Sequence, residues 1–133
     1  MRIKGRAISS GKAGGEALVS NEAISFLGEV DTKTGIVVNP KHPLFRKSVA
    51  GKVLVFPRGR GSTVGSYAMY QLKKNGKAPK AIVNEEAEVI VAVGAIISGI
   101  PMVDKLERRG FKLIKSGSKV VVDGDRGIVE VLK

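Results

Sequence analysis

The residues best suited to chemistry in this sequence lie close together at positions 58–66, which read Arg-Gly-Arg-Gly-Ser-Thr-Val-Gly-Ser. Guanidinium groups bind carboxylate or phosphate through paired hydrogen bonds, and a hydroxyl group acts as a base once its anion is stabilised. A segment that combines both groups with three glycines is typical of a tight turn that binds an anion. The pattern therefore predicts an anion-binding turn with Ser62 inside it.

The elements on either side of the turn would hold it at the end of a sheet. Residues 53–56 form an apolar run that predicts a buried strand, and residues 66–74 predict a helix. At such a junction the backbone N–H groups converge, and with the helix dipole they stabilise a negative charge. Glycine permits positive φ angles and close approach by a ligand, and a serine at the helix start would cap it. The positions concerned are Gly59, Gly61, Gly65 and Ser66.

The spacing within the turn differs from that of the known catalytic and nucleotide-binding motifs. It matches neither the dinucleotide fingerprint nor the Walker A pattern, and it lacks the serine elbow of hydrolases. The chain has no cysteine and only one histidine, His42, which argues against disulfides, a thiol nucleophile or a metal site of its own. His42 is a candidate for substrate binding as the only imidazole, although a loop histidine is more often simply exposed. An ordinary turn with a capping serine and two solvated arginines is the alternative interpretation of the segment.

The length, composition and net charge of the chain further limit its possible functions. The 133 residues suffice for one domain, 1–133, with its own core, and 43% of them are hydrophobic. No apolar run is long enough to span a membrane and the N-terminus lacks a signal-peptide core, so a cytoplasmic protein is expected. The net charge of +11 is compatible with nucleic acid, a small anionic substrate or an acidic protein as the partner.

The remaining pattern predicts a β-rich half joined to an α/β half. The first part of the chain favours strands, the centre alternates strands and helices, and the end favours a hairpin. The predicted strands are 4–9, 16–20, 24–26, 36–38, 81–83, 99–103, 119–122 and 127–131, with a turn at 11–15, a helix at 87–98 and a solvated helical turn at 105–109. Tyr67 and Tyr70 are spaced by one helical turn, which predicts core or interface positions.

Four stretches of the sequence resemble the small subunit of the aconitase X family. They read SFLGEVD, VAGKVLVFPRGRGST, KAPKAIV and GAIISGIP, at positions 25–31, 49–63, 77–83 and 94–101. The resemblance implies an α/β fold, the swivelling β/β/α domain that also forms the mobile domain of aconitases. One departure is Glu29, which stands where the family more often has glycine.

The resemblance also implies an activity. In the branch whose small subunit is a separate short chain, a hydro-lyase of the archaeal mevalonate pathway converts (R)-5-phosphomevalonate to trans-anhydromevalonate 5-phosphate. A large catalytic subunit would bind the 4Fe–4S cluster and form a heterodimer with this chain, which would hold no cofactor and be inactive alone. The family's proton acceptor is the serine of the turn, hence Ser62. The substrate-binding candidates are Arg58, Gly59, Arg60, Gly61, Thr63 and Ser66, with His42.

Two other functions remain open from the residues. Positions 117–129 are similar to the closing hairpin of swivelling phosphoryl-carrier domains, but the turn has no histidine to carry a phosphoryl group. A basic nucleic-acid-binding module would suit the charge, yet only 5% of the residues are aromatic and available to stack on bases.

Overall fold

The computed structural model describes residues 1–61 and 64–132. This part of the chain contains eight strands and four α-helices, with one 3₁₀ turn at Glu107–Arg109. The strands are β1 (Arg2–Lys4), β2 (Arg6–Ser9), β3 (Lys12–Val19), β4 (Val53–Phe56), β5 (Ala81–Asn84), β6 (Met102–Asp104), β7 (Lys119–Asp123) and β8 (Ile128–Val131). The helices are α1 (Phe26–Glu29), α2 (Gly65–Lys74), α3 (Val89–Ser98) and α4 (Gly110–Leu113).

The strands form one mixed sheet in the order β1-β8-β7-β3-β4-β5-β6-β2. Strands β3, β4, β5 and β6 are parallel, and the other neighbours are antiparallel. The two edge strands, β1 and β2, are separated in sequence by Gly5 alone, so the sheet must curl until its edges approach each other. A β-carbon on Gly5 would lie 2.5 Å from the Asp104 carbonyl oxygen, which explains why glycine stands at this junction.

Alternate side chains of the central strands pack into two separate hydrophobic cores. On β4, Leu54 and Phe56 face the core that lies under α1, α2 and α3, whereas Val53 and Val55 face the core enclosed by the curled sheet. All four of these side chains are completely buried. Burial on both faces explains why the sequence of β4 is a continuous apolar run without alternation.

The order of strands and helices in the α/β half was predicted correctly, although the strand predicted at 99–103 begins only at Met102. Three details of the β half were wrong. Of residues 11–15, predicted as a turn, residues 12–15 belong to β3, because they pair with β7 from the closing hairpin. The strand predicted at 4–9 is interrupted at Gly5, where the chain crosses from one sheet edge to the other. The strands predicted at 24–26 and 36–38 are reduced to isolated bridges at Ile24, Ile36 and Val37.

None of the helices in the described ranges has the length and apolar character needed to cross a bilayer. The longest, α2 and α3, have ten residues each.

Candidate functional site

The glycine-rich turn leaves the carboxyl end of β4 and is fastened to the segment before α1. The Ile24 N–H donates to the Arg58 carbonyl oxygen at 3.2 Å, and the Arg60 N–H donates to the Ile24 carbonyl oxygen at 3.1 Å. Ile24 and Gly59 thereby form a parallel bridge. These backbone bonds continue the pairing beyond the end of β4, so the turn begins from a fixed geometry.

Glycine is needed at each of the three positions of the turn for a different structural reason. Gly61 has a φ of +97°, and a β-carbon there would also lie 2.8 Å from the Ser25 hydroxyl oxygen. A β-carbon on Gly59 would overlap Val91 of α3, and one on Gly65 would lie 3.3 Å from Ile90 Cγ2. The expected positive φ is therefore found at Gly61 only, while Gly59 and Gly65 allow the turn and α2 to pack closely against α3.

The carboxylate of Glu29, at the end of α1, is the centre of the polar contacts around the turn. Its Oε1 accepts the Ser25 N–H at 2.8 Å, and its Oε2 accepts Asn39 Nδ2 at 2.6 Å and Arg60 Nη2 at 2.5 Å. Glu29 is only 6% exposed, whereas about half of the Arg60 side chain is exposed. The pair therefore holds one edge of the guanidinium group and leaves the rest of Arg60 facing solvent.

The environment of Glu29 favours its charged form. Burial by itself raises the pKa of this carboxyl group. The hydrogen bonds from Ser25, Asn39 and Arg60, together with the positive charge of Arg60, outweigh burial, so the net pKa lies below its ordinary value. Glu29 is thus a buried anion that fixes an arginine.

The other site residues predicted from sequence have mixed positions. Ser62 and Thr63 lie outside the described residues, between Gly61 and the start of α2. Arg58 is exposed at the turn. Ser66 was expected to cap α2, but that helix begins at Gly65 with Val64 in the N-cap position. Ser66 is instead the second residue of α2 and is buried.

His42 is buried, in contrast to the exposure expected of a loop histidine. It is 4% exposed; its Nε2 lies 3.0 Å from the Ala23 carbonyl oxygen, and its Nδ1 accepts the Leu44 N–H at 3.1 Å. The second bond requires an unprotonated Nδ1, so Nε2 carries the proton that is donated to Ala23. Both ring nitrogens are therefore occupied by backbone groups, which disfavours phosphoryl transfer to this ring.

A broad cleft of about 1200 Å³ borders the turn through Pro57. Four lysines, Lys47, Lys52, Lys112 and Lys115, lie along it, and its floor includes Leu18 and Ile114. Sequence reasoning did not predict this cleft, because its walls come from segments that are distant in the chain.

Sequence reasoning also missed Ser25 and Asn39 as members of the site. The one signal was Glu29, an acidic residue between the apolar positions Phe26, Leu27 and Val30 of the SFLGEVD stretch. A carboxylate that becomes buried needs several hydrogen-bond donors, so its presence could have prompted a search for them. The identity of those donors depends on the tertiary fold, since Arg60 is 31 positions away.

The described residues hold no group of three or more His, Cys, Asp and Glu side chains that could bind a metal ion. The full sequence has no cysteine, the usual ligand of iron–sulfur clusters. The donor set of this chain therefore does not fit a 4Fe–4S cluster.

The curled mixed sheet, the helices α1, α2 and α3 on one face and the glycine turn at the start of α2 define a swivelling β/β/α domain with a candidate anion site. Residues 2–131 match the family model for the aconitase X swivel domain. The chain belongs to this family, which confirms both the resemblance and the predicted fold class.

Similar proteins agree with this assignment over the whole chain. The phosphomevalonate dehydratase small subunit of Methanosarcina acetivorans is 62% identical, over all of this chain and 92% of the relative. That of Thermococcus onnurineus is 59% identical, over 98% of each chain. The crystal structure of Thermococcus kodakaraensis aconitase X in its holo-form superposes with a TM-score of 0.95 at 57% identity, covering 100% of this chain and 99% of the other.

Proposed function

We propose that this chain is the small subunit of a hydro-lyase that removes water from (R)-5-phosphomevalonate and forms trans-anhydromevalonate 5-phosphate, a step of the archaeal mevalonate pathway to isoprenoids. The proposal is supported by relatives of 59–62% identity that carry the name phosphomevalonate dehydratase small subunit. These relatives match over nearly their full length, so the same functional unit is compared on both sides.

Ser62 is the proposed proton acceptor. The observation that supports this role is the geometry on both sides of it: Gly61 has a left-handed φ, Arg60 is fixed by Glu29, and α2 begins at Gly65. The N-terminal end of a helix and nearby guanidinium groups both stabilise a negative charge. Together they would favour a serine alkoxide, which is otherwise too unstable to serve as a base near neutral pH.

The reaction follows as an elimination. The Ser62 alkoxide takes the proton from the carbon next to the substrate carboxylate, and that C–H bond breaks. Its electron pair becomes the new carbon–carbon double bond, while the C–O bond to the hydroxyl group on the neighbouring carbon breaks. Ser62, now a neutral hydroxyl group, gives up the proton it took through solvent, and the leaving hydroxide takes up one proton and departs as water. The alkoxide is restored, and the net change is the loss of one H and one OH from the substrate.

The positive groups of the turn would hold the substrate carboxylate and the developing negative charge. Arg58 and Arg60 contribute two positive charges, and Glu29 offsets one of them, so the turn keeps a net charge of about +1. The residues proposed to line this site are Arg58, Gly59, Arg60, Gly61, Thr63 and Ser66. Because both ring nitrogens of His42 contact the backbone, we assign it to holding its loop in place and not to substrate.

The rest of the site is assigned to a large subunit. The term "small subunit" in the names of the relatives implies a larger partner. A 4Fe–4S cluster bound to that partner would supply a Lewis acid for the leaving hydroxyl group. This chain would contribute the base, would orient the carboxylate and would have no activity alone.

The test is reconstitution with the large subunit encoded in the same genome, under anaerobic conditions. The complex is incubated with 5-phosphomevalonate, and the phosphorus NMR spectrum is followed over time. Formation of an anhydro product by the complex, and by neither subunit alone, is the expected result. A stable complex that leaves 5-phosphomevalonate unchanged, but dehydrates another hydroxy acid, would overturn the proposed substrate.

A further inference from the structure

We propose that the outer face of α2 and α3 is the surface on which the large subunit docks. This inference rests on the proposed function, because it takes the partner to be the subunit that shares the site. The outer face consists of Tyr67, Tyr70, Val89, Val93, Ile96 and Ile97.

All six side chains of the outer face are large, hydrophobic and between 42% and 75% exposed. Single exposed hydrophobic residues are ordinary on protein surfaces. Here six of them lie on two helices that pack directly against each other, and such a concentration is typical of an interaction site.

The sequence of α3 strengthens this conclusion. The helix reads VIVAVGAIIS and contains no charged residue, although only Val91, Gly94, Ala95 and Ser98 are buried. A helix that covers a sheet normally has a polar side facing water, and one that is apolar all round is normally buried. The solvent side of α3 therefore has the composition of a surface that becomes covered.

The two helices present this surface as one unit because they pack closely. A β-carbon on Gly94 of α3 would lie 3.0 Å from Met69 Sδ and 3.3 Å from Ser66 Cα. Glycine at this point lets α3 approach α2 without an intervening side chain. The exposed residues of α2 and α3 therefore belong to one closely packed pair of helices.

The position of the outer face next to the turn identifies its occupant. Gly59 packs against Val91, and Gly65 packs against Ile90, so the turn adjoins the N-terminal part of α3. Val89, the most exposed residue of the face, begins this helix. A subunit that brings its substrate to the turn must therefore also cover the start of α2 and α3.

The charge of the chain argues against a second copy as the occupant. Each copy carries a net charge of +11, so symmetric pairing would bring two strongly positive molecules together. Basic residues frame the outer face, with Arg58 and Arg60 near one end of α2 and Lys73 and Lys74 at the other. The complementary surface is an apolar patch with an acidic rim, and a heteromeric partner can supply it.

The experiment compares two charge substitutions at equally exposed hydrophobic residues. Ile96→Glu places a charge in the outer face, whereas Leu113→Glu places one on α4; these side chains are 56% and 47% exposed. Both variants are co-expressed with the large subunit, and complex formation is measured by size-exclusion chromatography with light scattering. Thermal melting of each isolated small subunit checks that it is folded.

The expected result is that Leu113→Glu co-elutes with the large subunit like wild type, while Ile96→Glu loses at least about 100-fold in affinity, as for an interface hot spot. Equal affinity of all three proteins would overturn the proposal. The proposal would also be overturned if the wild-type chain forms a homodimer that Ile96→Glu disrupts, while this variant still binds the large subunit. The outer face would then be a surface for self-association.

A measurement on wild-type protein removes any dependence on the folding of the variants. Amide hydrogen exchange of residues 89–98 is compared in the free chain and in the complex, with residues 119–131 as the reference. Protection of 89–98 on binding is expected, and its absence would contradict the proposal. Neither complex formation nor hydrogen exchange depends on turnover. A complex that protects α3 but is inactive would therefore contradict the proposed reaction and still support the proposed docking surface.

Discussion

Glu29 Oε2 and Arg60 Nη2 are 2.5 Å apart, which joins the end of α1 to the centre of the glycine turn. The carboxylate is buried and also accepts hydrogen bonds from Ser25 and Asn39, so its position is fixed by three donors. Arg60 reaches this anchor from an exposed turn. The orientation of a proposed substrate-binding residue therefore depends on a carboxylate that need not touch substrate itself.

Replacing Glu29 with Gln tests this dependence. Gln keeps the shape but loses the charge, and a hydrogen bond to a charged group is worth about 1.5–3 kcal/mol. We expect kcat/KM of the reconstituted complex to fall about 10- to 100-fold, because Arg60 loses its fixed orientation.

The matched control for Glu29→Gln is Glu16→Gln. Glu16 pairs with Lys52 at 2.6 Å, but the Lys52 and Glu16 side chains are 34% and 53% exposed, and solvent-exposed pairs contribute little to stability. We expect normal kinetics for Glu16→Gln. Equal effects of the two substitutions would show that Glu29 does not position Arg60.

The lowered pKa of Glu29 predicts how the stability of the protein varies with pH. In the unfolded chain this carboxyl group titrates near its ordinary value of 4.5. Its stabilising contribution is therefore complete above that pH and is lost as the pH falls through the lower pKa of the folded state. The difference in Tm between wild type and Glu29→Gln should be constant from about pH 7 to about pH 5 and should narrow below pH 4.5. A difference that widens on acidification would contradict the assignment.

Alanine substitutions at Gly51, outside the turn, and at Gly61, inside it, distinguish the cost of a positive φ from the cost of a steric contact. Gly51 and Gly61 both have positive φ, at +70° and +97°, but only a β-carbon on Gly61 meets a neighbour, the Ser25 hydroxyl group. We expect Gly51→Ala to cost about 1–2 kcal/mol of unfolding free energy. Gly61→Ala should cost more and should also lower kcat, because the turn must shift. Identical losses in chemical denaturation would show that the contact with Ser25 is unimportant.

His42→Ala should affect stability and leave substrate binding unchanged. The substitution leaves the Leu44 N–H and the Ala23 carbonyl oxygen without their hydrogen-bond partner. A buried polar group that loses its partner lowers the unfolding free energy by about 1–3 kcal/mol. The KM for 5-phosphomevalonate, measured well below the melting temperature, should equal that of wild type, as should that of the exposed neighbour variant Lys41→Ala. A higher KM with unchanged Tm would show that His42 binds substrate.

Features that depend on neighbouring residues in the chain were predictable from the sequence, and features that depend on distant residues were not. The strand, turn and helix around residues 53–74 were predictable because both β4 and α2 have apolar patterns of their own and Gly61 needs a left-handed φ. Residues 12–15 of β3 were mistaken for part of a turn because two adjacent glycines, Gly14 and Gly15, are typical of turns when the sequence is considered alone. Their pairing with Val120 and Val121, more than 100 positions away, decides the conformation.

Which residues belong to the candidate site also depends on contacts between distant parts of the chain. Arg60 was recognised from its place in the turn, but its anchor Glu29 and the supporting Asn39 come from a segment with little regular structure. No periodicity marks such residues. They were not predictable because their role follows from burial of one carboxylate, which only the complete fold brings about.

The proposed role of Ser62 as the proton acceptor is tested by the dehydration rate of the reconstituted complex that carries Ser62→Ala. Ser10→Ala, at an exposed serine far from the turn in sequence, serves as the control. Both complexes are first shown to contain the two subunits in equal amounts. We predict that Ser62→Ala forms the complex but loses at least about 1000-fold in kcat, whereas Ser10→Ala retains wild-type turnover. A Ser62→Ala complex that dehydrates 5-phosphomevalonate at the wild-type rate would show that Ser62 is not the proton acceptor.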